Sequence, residues 1–253
     1  MRYPHPPLYQ LGLDDPLPPP HLAWGPDSAA PGLVAIGGGL SVERLLEAYG
    51  QGCFPWYSEG QPVMWWSPDP RMVLPVGPFR LQRSLRQALK LFLRSPGAQV
   101  RFDTAFSQVI QACASAPRPG QNGTWIVRDI VKAYEELHLA GHAHSIEVWL
   151  GNELVGGLYC VAIGRAVFGE SMFSRQSNAS KIALAALVGF ARAQGVALID
   201  CQQKTSHLAS LGAGDMSRAE FLMHTTTALA QPSLEWHFDP LYWLELQIEP
   251  MAQ

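Results

Sequence analysis

Two carboxylates in the second half of the sequence lie where predicted strands end. Asp200 follows the apolar residues Leu198 and Ile199 in the segment "LIDCQ", and Glu170 lies between a glycine and a serine in "FGESMFS". Ligands of open α/β sheets gather outside the carboxyl ends of the strands. Two carboxylates there could bind an ammonium group or a basic side chain, or one of them could act as a general base. The alternative is structural, with Asp200 buried and bonded to backbone amides.

The sequence lacks the motifs of several other kinds of chemistry. The triple glycine Gly37–Gly39 is not followed by the Gly-Lys-Ser/Thr of a phosphate-binding loop, so we predict a turn there. No GxSxG motif indicates a serine hydrolase. His142 and His144 have a spacing found in metal sites, but no second ligand pair accompanies them, so no metal is expected. The four cysteines form no CxxC pair and are predicted to be buried thiols in a reducing compartment.

The composition is that of a folded protein. The chain has 253 residues, of which 47% are hydrophobic and 15% are charged, enough for one large domain or two small ones. No apolar run approaches the roughly 18 residues needed to span a bilayer. The N-terminal segment carries prolines and acids in place of the apolar core of a signal peptide. We therefore expect a cytoplasmic protein that does not enter membranes.

The net charge of −3 hides a strongly basic segment. Between Arg71 and Phe102 there are seven basic residues and no acidic one, whereas the rest of the chain has 11 basic and 21 acidic residues. Apolar side chains recur there at helical spacing, and a separate cationic face of the same helix is predicted. This cationic face consists of Arg83, Arg86, Lys90 and Arg94. The lack of acidic neighbours favours contact with a phosphate backbone, and a merely solvated face is the alternative.

One segment is unusually rich in aromatic residues. The stretch "FPWYSEGQPVMWWSPDPR" runs from Phe54 to Arg71 and contains three tryptophans, a tyrosine and four prolines. It is too rich in proline to be predicted as a central strand and too aromatic for a solvated linker. We therefore expect something flat or large to lie against it.

The remaining pattern predicts an α+β fold. Ser41 is the predicted N-cap of an early helix, and Ser217 is that of a late one. Three apolar or alternating segments between residues 144 and 174, divided by Gly-Asn and Gly-Arg turns, predict an antiparallel meander. A helix that ends at Gly195 and a short apolar strand that ends at Asp200 follow the meander. Helices, a meander, a helix and a strand in this order are typical of an α+β domain.

Several of these segments together resemble one family. The blocks "FPWYSEGQPVMWWSPDPR", "GTWI", "GHAHSIEVW", "FGESMFS", "NASK", "LIDCQ" and "ASLGA" resemble the bacterial leucyl/phenylalanyl-tRNA–protein transferase family, over about residues 32–212. The resemblance implies a small N-terminal α/β domain over residues 1–76. It also implies an acetyltransferase-type (GNAT-like) catalytic domain over residues 77–253, which includes the basic helix at about residues 80–95.

The resemblance implies an activity as well. Members of the family transfer leucine or phenylalanine, and less well methionine, from aminoacyl-tRNA to the α-amino group of proteins that begin with Arg or Lys, which marks these proteins for degradation. No cofactor is expected because the aminoacyl ester is already activated. Acetyl-CoA is not expected because "SRQSNAS" replaces the glycine-rich loop of ordinary GNAT enzymes. Two alternatives stay open: a different amine acceptor, or a non-catalytic reader of N-terminal residues. A monomer is expected, since no exposed heptad pattern is evident.

The resemblance also gives roles to residues at matching positions. Asp200 would orient the attacking amine or remove its proton, and Gln202 would hold that amine or polarise the carbonyl. Glu170 would bind the cationic terminus of the acceptor. Trp56 and Trp125 would hold the terminal adenosine with its aminoacyl group, and stacking of a base on an aromatic ring contributes about 1–3 kcal/mol.

Two larger sets complete the implied site. The pocket for the aminoacyl side chain would be lined by Leu158, Met172, Leu184 and Ile199. The phosphates of the acceptor stem would be contacted by Arg80, Arg83, Arg86, Lys90 and Arg94. Trp65 and Trp66 are expected to pack between the two domains.

The apolar pocket also implies a substrate range. An apolar pocket distinguishes side chains that differ by one methylene only weakly, so leucine, phenylalanine and methionine should all enter. Valine and isoleucine are branched at the β-carbon, and we expect the shape of the pocket to exclude them.

Overall fold

The structure, a computed structural model, describes residues 7–116 and 124–250. Its strands form two mixed sheets, a small one near the N-terminus and a larger one to which the rest of the described chain contributes. This architecture agrees with the predicted α+β class. The first six residues of the predicted N-terminal domain, and Gly123 of the block "GTWI", lie outside the described residues.

The small sheet has the strand order β1-β2-β4-β3. Its strands are Tyr9–Leu11 (β1), Leu33–Gly37 (β2), Phe54–Pro55 (β3) and Met64–Trp66 (β4). Strands β1 and β2 are parallel, and the other pairs are antiparallel. The helix Val42–Gly50 (α1) follows β2, and the Ser41 side chain accepts a hydrogen bond from the Arg44 N–H, as predicted for an N-cap. Gly37, Gly38 and Gly39 all have positive φ, which confirms the predicted turn.

Strand β4 shows that one prediction was wrong. The proline-rich aromatic segment does contain an interior strand, because Met64–Trp66 pairs with β2 on one side and with β3 on the other. The strand is only three residues long, and Pro62 and Pro68 lie outside it. The prolines therefore remove no hydrogen bond from β4 itself, which is why a central position is possible.

The large sheet has seven strands in the order β11-β5-β10-β9-β8-β7-β6. The strands are Arg71–Pro75 (β5), Ala98–Phe102 (β6), Ala143–Leu150 (β7), Glu153–Ile163 (β8), Ala166–Ser174 (β9), Leu198–Gln202 (β10) and Gly214–Met216 (β11). Antiparallel pairing of β7, β8 and β9 confirms the predicted meander. Although β5 precedes residue 77, it pairs with β10 and β11 of this sheet.

The parallel pair β9 and β10 remains in register for only a short distance. Ile199 is opposite Val167 and Asp200 is opposite Phe168, and no further pairs follow. Strand β9 nevertheless continues to Ser174 and β10 to Gln202. The two strands therefore separate beyond this point, which leaves a gap in the middle of the sheet at the carboxyl end of β10.

Helices cover both faces of the large sheet. They are Arg83–Arg94 (α2), Phe106–Ser115 (α3), Arg128–Leu139 (α4), Ala179–Ala193 (α5), Ser206–Ser210 (α6) and Arg218–Leu229 (α7), with two 3₁₀ segments, Pro20–Leu22 and Pro240–Leu246. One apolar cluster joins one face of the sheet to the small sheet, α1, α3 and α4. A second cluster joins the other face to α2, α5 and the Pro240–Leu246 segment. Among the described residues, no helix combines the length and apolar character needed to cross a membrane.

Two helices test sequence predictions directly. In α2, Leu85, Leu89 and Phe92 are buried, as their spacing predicts. The helix begins at Arg83, so Arg80 lies before it rather than on it. The predicted cap of α7 is confirmed, since the Ser217 side chain and Glu220 form a reciprocal capping box.

Candidate active site

Glu170 lies at a bulge in β9 beside the gap in the large sheet. Opposite β8, Gly169 pairs with Cys160 and Ser171 pairs with Tyr159, so Glu170 is an extra residue without a partner position. Bulges are used in sheets to redirect a side chain. Part of Glu170 remains accessible to solvent, as do its chain neighbours Gly169 and Ser171, whereas Tyr49 and Tyr134 are fully buried.

Three side chains surround the Glu170 carboxylate. The Tyr49 hydroxyl of α1 donates to Oε1 at 2.6 Å, and the Gln202 Nε2 of β10 donates to the same oxygen at 2.8 Å. The Tyr134 hydroxyl of α4 donates a longer bond to Oε2 at 3.4 Å. The hydroxyls of Tyr49 and Tyr134 also contact each other directly. Residues from three separate elements therefore converge on the carboxyl group that β9 supplies.

This environment favours a protonated Glu170. The pKa of Glu170 is raised to about 8, chiefly by burial and also by the nearby Asp200, while the hydrogen bonds from Tyr49, Tyr134 and Gln202 act to lower it. Burial, together with the proximity of Glu170, raises the pKa of both tyrosines well above their ordinary range. The phenols are thus fixed as hydrogen-bond donors, while Glu170 can change its charge near neutral pH.

Asp200 is held in an ion pair with Arg71. The Arg71 Nε donates to Oδ1 at 2.8 Å and its Nη2 donates to Oδ2 at 2.6 Å, with exposures of 0% and 1% for the two side chains. The guanidinium also donates to the Gly52 carbonyl at 3.0 Å. It lies over the rings of Phe54 and Phe221, 4.8 and 4.5 Å from their centroids. Both oxygens of Asp200 are therefore engaged, an arrangement that favours orientation of a neighbour over removal of a proton.

Gln202 is that neighbour. Its backbone N–H donates to Asp200 Oδ1 at 2.8 Å, and its φ of 61° lies in the left-handed region. The pairing of β10 with β5 shifts register between Asp200 and Gln202, so the strand is irregular there. A left-handed non-glycine residue is strained unless its surroundings hold it. The Arg71–Asp200 pair supplies that support and fixes the residue whose amide reaches Glu170.

A small cavity of about 30 Å³ lies on the other side of Asp200. Its walls include Phe168, Phe221 and Thr225. A space of this size holds one or two water molecules but no substrate.

The sequence-predicted tryptophans fall into two groups. Trp56 and Trp125 are half-buried and pack against the first apolar cluster, to which Tyr49 also belongs. Trp65 is fully buried and Trp66 nearly so, with their Nε1 atoms donating to the carbonyls of Gly37 at 2.8 Å and Trp56 at 2.7 Å. Trp65 and Trp66 thus form part of the core that runs from the small sheet to the large one, and their rings are not accessible to a ligand.

The four apolar positions predicted to form a pocket lie in the second cluster. Leu158, Leu184 and Ile199 are buried and Met172 is half-buried. Leu158 and Met172 face each other across β8 and β9. These residues lie on the opposite face of the large sheet from the first cluster, to which Tyr49 and Tyr134 belong.

The predicted phosphate contacts lie on and before α2. Arg83, Lys90 and Arg94 are exposed, whereas Arg86 is half-buried and donates to the Gln247 carbonyl at 2.9 Å. Arg80 is exposed and donates to backbone carbonyls just before the helix. None of the ion pairs found in residues 7–116 and 124–250 involves these cations. Their charge therefore remains available to an external anion.

His144 and the residues around it have a structural role. Its Nδ1 lies 2.7 Å from Asp103 Oδ2, and its ring stacks on Trp236 at 3.9 Å. Within the described part of the chain, no group of three or more potential metal ligands occurs.

The sequence analysis missed Tyr49, Tyr134 and Arg71 as members of the site. Arg71 was counted only as part of the basic segment. A buried tyrosine hydroxyl needs a hydrogen-bond partner, so a tyrosine within an apolar stripe was the available signal. Nothing in the local sequence indicates which distant carboxylate each of the three residues meets.

The comparisons with known proteins define an aminoacyltransferase. The chain belongs to the leucyl/phenylalanyl-tRNA protein transferase family, which matches residues 73–226, and the N-terminal domain of that family matches residues 38–69. It is 58% identical over 241 residues to the leucyl/phenylalanyl-tRNA–protein transferase of Albidiferax ferrireducens, with 95% of each chain covered. It is 56% identical to the protein of the same name from Polaromonas sp., with 95% of this chain and 94% of the relative covered. The resemblance inferred from the sequence is thereby confirmed.

Among solved structures, that of FemX superimposes with a TM-score of 0.43 and 13% identity, and covers 59% of this chain and 60% of the FemX chain.

Proposed function

We propose that this protein transfers leucine or phenylalanine, and less well methionine, from aminoacyl-tRNA to the α-amino group of proteins that begin with Arg or Lys, which creates a degradation signal. The observation that carries the proposal is the family match along nearly the whole chain. The hydrogen-bonded cluster of Glu170, Asp200 and Gln202 supports it. We further propose that the protein acts in the cytoplasm, where its substrates are found, as a monomer.

The proposed chemistry depends on positioning. The aminoacyl ester is already activated, so the protein must bring a neutral amine to the carbonyl and stabilise the developing oxyanion. Glu170, which remains partly accessible, would bind the cationic terminus of the acceptor. Gln202 would hold the amine or polarise the carbonyl. Asp200 would orient the amine through Gln202, a role supported by its engagement with Arg71.

The aminoacyl end of the tRNA would occupy the gap between β9 and β10. Trp56 and Trp125, which are half-buried, are proposed to hold the terminal adenosine. The aminoacyl side chain would enter the apolar side of the gap, lined by Leu158, Met172, Leu184 and Ile199. Met172 is the partly accessible member of that set, and a flexible thioether suits side chains as different as leucine and phenylalanine.

The acceptor stem is proposed to bind at the cationic face of α2 together with Arg80. Support comes from the exposure of Arg83, Lys90 and Arg94 and from the lack of acidic residues in this part of the sequence. Such contacts position a nucleic acid without reading its sequence.

We also propose that residues 77–253 form a GNAT-like catalytic domain beside a small domain of residues 1–76. The separation of the parallel strands β9 and β10 supports this likeness. At the start of α5, the Ser180 N–H already donates to Ser174 Oγ at 2.9 Å. One of the amides that a pyrophosphate would need is therefore occupied, which supports the absence of acetyl-CoA from the proposed reaction.

The test is a transfer assay with radiolabelled Leu-tRNA and three peptides that differ only in their first residue, Arg, Lys or Ala. Label on the Arg and Lys peptides, with the Ala peptide spared, is the expected result. Transfer to all three peptides would contradict the proposed acceptor specificity. Binding of Arg and Lys peptides without any transfer would indicate a non-catalytic reader of N-terminal residues.

A further inference from the structure

We propose that Glu170, held by the paired hydroxyls of Tyr49 and Tyr134, is the group that takes the proton from the acceptor's terminal ammonium. This inference rests on the proposed function and adds a step to it. In that function, the acceptor arrives with a protonated α-amino group, which cannot attack an ester until one proton has left.

The other polar groups of the cluster are poor candidates for this step. Both oxygens of Asp200 accept hydrogen bonds from Arg71, and the side chain is 1% exposed. The side chain of Gln202 is an amide, which is not basic. Glu170 lies at a bulge, retains access to solvent and belongs to no ion pair found among the described residues. Of these two carboxylates, Asp200 is buried in an ion pair, whereas Glu170 is partly accessible and belongs to none of the ion pairs of the described residues.

Among the titratable groups that face one another around Glu170, Glu170 is the one expected to change its charge near neutral pH. Tyr49 and Tyr134 face it from α1 and α4, and burial keeps the pKa of each well above its ordinary range. Cys160 on β8 interacts with it, and burial likewise raises the pKa of that thiol. Asp200 on β10 is neutralised by Arg71. Glu170 itself has its pKa raised to about 8 by burial.

That value suits proton exchange with an α-amino group. A terminal ammonium has a pKa of about 7.7–8.0, whereas an ordinary glutamate has a pKa of about 4.3. A general base works best when its pKa lies close to that of the group it deprotonates and to the working pH. The hydrogen bonds from the two phenols are compatible with both protonation states of Glu170. They stabilise the carboxylate when Glu170 is ionised, and they can persist when it is protonated.

The step balances as follows. One proton moves from the terminal ammonium to a Glu170 oxygen, and the amine lone pair attacks the carbonyl carbon of the aminoacyl ester. The new C–N bond forms, the bond between the carbonyl carbon and the tRNA ribose oxygen breaks, and a second proton from the same nitrogen goes to that oxygen. The amide retains the third proton, and Glu170 releases its proton to solvent before the next cycle.

The decisive experiment compares two acceptors with the Glu170→Gln variant. One is a peptide that begins with Arg and has an ordinary α-amine. The other is the same peptide with its α-amine replaced by an aminooxy group, which is weakly basic and neutral at pH 7. We expect the variant to lose at least about 100-fold in kcat/KM with the ordinary peptide, within the range of general-base catalysis. With the aminooxy peptide, which has no proton to lose first, we expect a loss of less than about 10-fold.

Glu153→Gln is the matched control, because Glu153 is exposed at the start of β8 and should leave both rates unchanged. Equal losses with both acceptors, or no loss with either, would overturn the inference. Lack of transfer by the wild-type protein would instead refute the proposed function, so the two failures are distinguishable.

A second measurement does not depend on activity. In protein labelled with ¹³C at the glutamate carboxyl carbons, we expect one resonance that titrates near pH 8 and is missing from the folded Glu170→Gln variant. In Tyr49→Phe, loss of a donor to the carboxylate should move that titration to higher pH. Titration of every glutamate below pH 6 in the wild-type protein would overturn the inference, even if the variant proved too unstable for kinetics.

Discussion

Replacement of Asp200 by asparagine should destabilise the fold through a charge left unpaired in the core. In the wild-type protein, Arg71 and Asp200 share two short hydrogen bonds of 2.8 and 2.6 Å, and the two side chains are 0% and 1% exposed. The asparagine oxygen can still accept from Arg71, but its NH₂ group then faces a second guanidinium donor. Loss of one member of a buried pair typically costs about 3–5 kcal/mol.

For a protein of this size, each kcal/mol shifts the melting temperature by about 2–4 °C. We therefore expect a decrease of roughly 6–20 °C for Asp200→Asn, measured by circular dichroism or calorimetry. The matched control is Asp215→Asn, which breaks an ion pair with Lys204 whose side chains are 37% and 68% exposed. Exposed pairs contribute about 0–1 kcal/mol, so that control should melt within a few degrees of the wild type.

The double variant Arg71→Met/Asp200→Asn tests whether the unpaired charge of Arg71 is the cause of the lost stability. Because the methionine removes the stranded charge, the double variant should be more stable than Asp200→Asn alone. Transfer should still be impaired, since Gln202 loses the support of the pair. If Asp200→Asn melted like the wild type, the argument from an unpaired buried charge would be refuted. Near-normal turnover by the folded variant would remove Asp200 from the mechanism.

Five further predictions concern other parts of the molecule. Because the folded-state pKa of Glu170, about 8, is above its unfolded value of about 4.3, its contribution to stability is complete below pH 4 and is lost as the pH rises to about 8. Thermal melts between pH 5 and 9 should show a decline that is shallower in Glu170→Gln. Glutamine substitution of the exposed members of the cationic face should weaken tRNA binding. In a plot of the logarithm of the binding constant against the logarithm of the salt concentration, the slope should become shallower by roughly one for each lost phosphate contact. Trp56→Ala should weaken aminoacyl-tRNA binding by about 1–3 kcal/mol with little effect on melting. Trp65→Ala, at a fully buried position, should instead cost about 3–5 kcal/mol of stability. Ile-tRNA should be a much poorer donor than Leu-tRNA in the transfer assay, and equal use would contradict exclusion by shape at the β-carbon.

Much of the local structure could be predicted from the sequence, because its causes lie within a few residues. The apolar spacing of α2, the Ser41 and Ser217 caps and the turns of the meander each depend on neighbours in the chain. The prediction that Glu170 and Asp200 lie at strand ends was wrong, because Glu170 is the fifth of the nine residues of β9 and Asp200 is the middle residue of β10. The interior strand at Met64–Trp66 was missed, because proline content was weighed over the whole segment and not residue by residue.

The environment of each carboxylate was decided by tertiary structure alone. Arg71 meets Asp200 across 129 residues of sequence, and Tyr49 meets Glu170 across 121. These contacts depend on strand order and on bulges in β9 and β10, which shift a side chain to the other face without a signal in the local pattern. The sequence by itself determined which residues could do chemistry and which elements carry them. Only the packing of distant elements decided that Asp200 is neutralised by a cation while Glu170 is left among phenols, because the charge state of a buried group depends on its neighbours in space.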